Sequence, residues 1–124
     1  MHCIWQAKEG LELSAIIRDF KKFTSKKIIK LIHELPESRK IWMLKKFEYA
    51  GKRLNRIENY KFWKDSNHAI ELTESDTTMK TQKLEYLHNN PVKAMLVKHA
   101  EDYLFSSAVD YAGGKGMIKV KLMH

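Results

Sequence analysis

Tyr86-Leu87-His88-Asn89-Asn90-Pro91-Val92-Lys93-Ala94 is the stretch on which the reading of the fold turns. Pro91 has no N–H to donate and pushes Asn90 towards extended backbone, so the segment reads as the last turn of a helix ending on a polar tip. Gln82, Tyr86 and Asn90 recur every fourth residue while Leu84 and Leu87 lie to the side, which sets a polar stripe beside an apolar one. A tyrosine is a poor nucleophile near its free pKa of roughly 10, and it needs a bound metal or nearby cations before it attacks a phosphodiester. Cations are abundant: 23 Lys and Arg stand against 15 Asp and Glu, a formal charge of +8. Such an excess suits a polyanionic partner, and it also serves simply to keep a protein dispersed.

Upstream, a Lys8-Glu9-Gly10 turn precedes Leu13, Ile16, Ile17, Phe20, Thr24, Ile28, Leu31 and Ile32, whose helical period stops before Pro36. Arg18, Lys22, Lys26 and Lys30 form a second stripe at spacing four, fit either for phosphates or for water. A second helix is expected from about Pro36 or Glu37 to Gly51, burying Ile41, Leu44 and Phe47 or Trp42. Near its end Lys45, Lys46, Lys52, Arg53 and Arg56 surround Tyr49. Cations interleaved with an aromatic can hold a phosphate backbone while a base stacks, and lysines at a helix C-terminus also complement its dipole. Trp5, Trp42 and Trp63 are expected in or at the edge of the core rather than as base-stacking platforms. Tyr60–Trp63 and Asn67–Leu72 read as short extended segments about a Lys64-Asp65-Ser66 turn. Downstream, Tyr103–Ala108 suggests a short helical piece, and the alternating Ile118, Val120 and Leu122 of the tail Met117–His124 suggest an edge strand.

Three ordered blocks resemble the REP-associated tyrosine transposases of the HUH single-tyrosine superfamily. Phe62-Trp63-Lys64-Asp65-Ser66-Asn67-His68-Ala69-Ile70 is similar to a strand region of that family. Tyr86–Val97 is similar to its nucleophile helix, with Met95 where a glycine is usual, and Asp102–Ala108 to its closing block. Met1-His2-Cys3-Ile4-Trp5 matches the His-hydrophobic-His strand from its hydrophobic residue onward, His2 standing for the second histidine.

The resemblance implies an α+β, ferredoxin-like fold lacking its first strands and mostly helical as given, with residues 1–124 forming a single transposase domain. It implies metal-dependent cleavage and strand transfer of single-stranded or hairpin DNA through a 5′-phosphotyrosine at Tyr86. His2 and Asn90 would ligate Mg²⁺ or Mn²⁺, and His68 is a further active-site candidate. Candidate DNA contacts are Arg18, Lys22, Lys26, Lys52, Arg53 and Gln82, and homodimers are the expected association. The alternative from another class is a non-catalytic, basic nucleic-acid-binding module.

His33, His88, His99 and His124 form no ligand spacing. The single Cys3 leaves no internal disulfide or cysteine zinc site, no run of about 18 apolar residues is present, and no signal peptide is evident, so a cytoplasmic protein without a membrane span is expected.

Overall fold

The computed structural model describes residues 1–54 and 59–123; Arg56 and His124 lie outside the described residues. They fall into two compact units, one of Trp5–Ala69 and one of Met1–Ile4 with Ile70 onward. All regular structure among them is helical: α1 (Leu13–Glu34), α2 (Lys40–Lys52), α3 (Thr77–Lys93), a 3-10 turn (Ala100–Asp102) and α4 (Ala108–Tyr111). None of the described helices is long and apolar enough to cross a membrane.

This corrects the expected fold class. A ferredoxin-like HUH domain is built on a central sheet, and no strand occurs among the described residues, neither at the opening segment, nor around 60–72, nor at 117–123. The physical reason is pairing: an extended segment becomes a strand only when a neighbour satisfies its N–H and C=O groups, and even a two-stranded hairpin is marginal alone. Local alternation in Ile118, Val120 and Leu122 supplies a pattern without a partner.

In the Trp5–Ala69 unit, the chain turns at Gly10 (φ 79°), Leu11 N–H donating to Lys8 O at 3.0 Å, before α1 begins. The helix stops where it should: Leu35, ahead of Pro36, is extended and its N–H caps Leu31 O at 2.9 Å. The second helix starts later than expected because the Glu37 carboxylate accepts the Arg39 N–H at 3.0 Å and Lys40 N–H closes a turn onto Glu37 O at 3.1 Å. The inner face of α2 is Met43, Leu44, Phe47, Ala50 and the buried Gly51, whereas Ile41 and Trp42 point to solvent. Aromatic rings form the packed centre. Phe20 meets Trp5 at 5.1 Å and Trp63 at 6.0 Å, and Phe62 meets Phe47 at 5.2 Å and Trp63 at 5.1 Å. The Trp63 indole N–H donates to Thr24 Oγ1 at 2.9 Å, satisfying the one polar atom of that ring.

In the other unit, the Asp76 carboxylate accepts the Met79 N–H at 2.7 Å and starts α3. Pro91 does not end this helix; α3 continues to Lys93 and closes one turn later in a Schellman motif, Leu96 N–H donating to Pro91 O and Met95 N–H to Val92 O, both at 2.9 Å. Met95 therefore stands at φ 56°, the left-handed position that glycine normally fills. His88 packs against Tyr111 at 5.1 Å and shares a 2.9 Å hydrogen bond with Ser107 at the start of α4, while Tyr111 Oη accepts the Met123 N–H at 2.9 Å. The helical piece expected over Tyr103–Ala108 is not formed there: residues 103–107 make a non-helical turn between the 3-10 turn and α4, which begins at Ala108. Ala108, 6% exposed, and Pro91 are buried in this unit.

Candidate nucleic-acid interface

The outward face of α2 carries a pattern that the apolar period alone does not disclose. Trp42, Lys46, Tyr49 and Arg53 follow one another at spacings of four, three and four, so at 100° per residue they fall within an arc of about 60°. Both aromatic rings reach solvent, Trp42 at 59% and Tyr49 at 66% exposure. This corrects the expected place of Trp42 at the core: with Met43, Leu44 and Phe47 turned inward, the helix geometry leaves Trp42 outside. Each ring is partnered by the cation one turn on, Lys46 Nζ lying 5.9 Å from the Trp42 centroid and the Arg53 guanidinium 5.9 Å from that of Tyr49. Such pairs hold an exposed ring in one orientation at modest gain.

The charge along α2 itself is one-sided. Glu48 is the only carboxylate of α2, and it is taken by Lys52 at 2.9 Å. Lys45 and Lys46 are exposed and make no ion pair among the described residues. Beside Tyr49 and Arg53 opens a cleft of about 750 Å³ whose lining includes Lys61, Phe62, Trp63, Lys64 and Asp65, the last ion-paired with Lys61.

On α1, Arg18, Lys22, Lys26 and Lys30 are all exposed, as the spacing predicts. Two are engaged: Arg18 hydrogen-bonds Asp19 at 2.9 Å, which lowers the carboxyl's pKa and raises that of the guanidinium, and Lys30 approaches Glu34 at 3.7 Å. Lys22 and Lys26 form no ion pair among the described residues, although the charge of Lys22 adds to the lowering of the Asp19 pKa. The sequence-derived contacts Arg18, Lys22, Lys26, Lys52 and Arg53 thus all belong to the Trp5–Ala69 unit, and Gln82, exposed on α3, belongs to the other.

The residues expected to carry chemistry are placed as follows. Tyr86 is 49% exposed on α3, the His2 ring meets it edge-on at 5.5 Å, and Lys93 Nζ lies 5.5 Å from its centroid. Lys93 escaped the sequence reading although its i+7 spacing from Tyr86 places it on the same face. Asn90, four residues on, keeps its Nδ2 buried without a hydrogen-bond partner, an arrangement that costs about 1–3 kcal/mol. His68 lies in the Trp5–Ala69 unit, exposed at φ 48°, its N–H donating to Ser66 Oγ at 3.3 Å.

His2 and Asn90 would offer Mg²⁺ or Mn²⁺ one imidazole and one amide oxygen, a set that falls short of the oxygen-rich shell a hard ion takes. Among the described residues no three His, Cys, Asp or Glu side chains gather as a metal site. These residues do not fit the metal that the resemblance implies.

No family model, curated protein or solved structure matches the chain. Together with the missing sheet, the absent metal cluster among the described residues corrects the resemblance and its consequence. The three matched blocks do not assemble an HUH scaffold: among the described residues there are neither the strands that would align paired histidines nor a cluster of ligands for the ion that phosphotyrosine strand transfer at Tyr86 would need.

Proposed function

We propose that this chain is a nucleic-acid-binding module that grips the phosphate backbone with the basic faces of α1 and α2. The observation that carries the reading is the set of exposed lysines, Lys22, Lys26, Lys45 and Lys46, that form no ion pair among the described residues. Charges already paired within the fold contribute little when a phosphate arrives, because one partner is exchanged for another. Free ones release condensed counterions and so give affinity that falls with salt. The chain's charge of +8 acts in the same direction at longer range.

Fluorescence anisotropy with a labelled single-stranded oligonucleotide tests this. Four phosphate contacts predict an affinity loss of about 50-fold between 50 and 200 mM salt. The quadruple Lys→Gln variant at these positions flattens that dependence. Affinity too weak to measure at 50 mM salt overturns the reading and leaves the charge to solubility.

A further inference from the structure

Resting on that reading and carrying it further, we propose that α2 is a stacking platform for unpaired bases, so that the preferred ligand is single-stranded nucleic acid, with Trp42 and Tyr49 receiving bases and Lys46 and Arg53 holding the adjoining phosphates. A backbone-gripping surface needs only cations. Two large rings left largely in water on a folded helix are a cost to the free protein that phosphate binding alone does not relieve, and their regular alternation with cations gives them a shared ligand. Bases inside a duplex are covered on both faces by their neighbours, so a side-chain ring reaches only bases that are unpaired. The cation set against each ring fixes its orientation before the ligand arrives, which lowers the ordering cost of binding.

The spacing is consistent with this use. Seven residues separate Trp42 from Tyr49, about 10.5 Å along the helix, which is the length of roughly three stacked nucleotides at 3.4 Å each. The cleft beside Tyr49 and Arg53 gives a base room to turn out of its stack. The neighbouring Ile41, 71% exposed, would by itself suit a protein partner. The cations on this face, with Glu48 engaged by Lys52 and the neighbouring Asp65 by Lys61, favour an anion instead.

The test compares three labelled ligands on the whole chain: a 20-nucleotide oligothymidylate, an abasic strand of the same length, and a duplex. Expected is at least tenfold tighter binding of oligothymidylate than of the abasic strand. The Trp42→Ala, Tyr49→Ala double variant should lose about thirtyfold or more on oligothymidylate, from two stacked bases, while its abasic affinity stays unchanged. Trp42→Phe with Tyr49→Phe should restore most of the loss, and circular dichroism should show equal helix in all variants. Equal affinity for the two single strands, or an equal loss on both in the alanine variant, overturns the stacking platform and leaves the backbone reading standing. Preference for duplex over oligothymidylate overturns it also. Failure of all three ligands to bind at low salt overturns the underlying reading itself.

Discussion

The two units of this chain use their aromatic residues in opposite ways. In Trp5–Ala69 the rings divide into an inner set, Trp5, Phe20, Phe47, Phe62 and Trp63, which pack on one another, and an outer pair, Trp42 and Tyr49, which cations hold in solvent. In the other unit Tyr111 is bound into local structure, touching His88 and accepting the Met123 N–H, and Tyr86 is flanked by His2 and Lys93. A ring's value therefore depends on what the neighbouring turns supply. Surrounded by rings it holds the fold, and set one turn from Lys46 or Arg53 it stays in solvent.

The largest effect separates inner from outer rings. Trp63→Ala removes the contacts with Phe20 and Phe62 and the hydrogen bond to Thr24, and should cost about 3 kcal/mol in urea unfolding. Trp42→Ala should stay within about 0.5 kcal/mol of wild type. Comparable losses would break the distinction.

In the other unit, Asp76→Ala deprives the Met79 N–H of its partner and should cost about 1 kcal/mol, whereas Asp76→Asn should keep most of the cap. Met95→Gly acts in the reverse direction. The side chain is 90% exposed and packs little, so relief of its left-handed backbone should raise stability by about 0.5–1 kcal/mol, read as an upward shift in the urea midpoint.

The smallest effect is one of pH. Burial lowers the His88 pKa, so the folded form favours the neutral ring. The stability linked to this group is present above the unfolded value near 6.5 and is lost as pH falls through the lower folded value, because the unfolded chain takes up the proton first. The fall in melting temperature between pH 7.5 and pH 5 should be smaller in His88→Gln than in wild type.

Much of the helical framework was legible in the sequence because the signals are local. The apolar period from Leu13, the stop before Pro36 and the run to Gly51 depend on neighbours within a turn or two, and α1 and α2 lie where those signals put them to within a few residues. The face of α2 was not legible, since Ile41, Leu44 and Phe47 admit two registers with Trp42 inside or outside, and only packing against the rest of the unit decides. Strands failed for the complementary reason: alternation can be written into six residues, but the pairing that makes a strand comes from elsewhere in the chain. The blocks resembling a transposase are likewise short local matches, and they specify a helix bearing Tyr86 without specifying the sheet beneath it. Pro91 misled by one turn because a proline near a helix end forfeits little, the following carbonyls being closed by the Schellman bonds.

The most direct measurement is the slope of log affinity against log salt for a single-stranded oligonucleotide, compared among wild type, the Lys22, Lys26, Lys45 and Lys46→Gln variant, and Lys93→Gln. The quadruple variant should lower the slope by about 2.8, from four contacts at 0.7 each, while Lys93→Gln should leave the slope unchanged. A quadruple variant with the wild-type slope would take the binding surface away from these lysines, and a loss of about 0.7 from Lys93→Gln would put a phosphate contact in the other unit; either result contradicts the account.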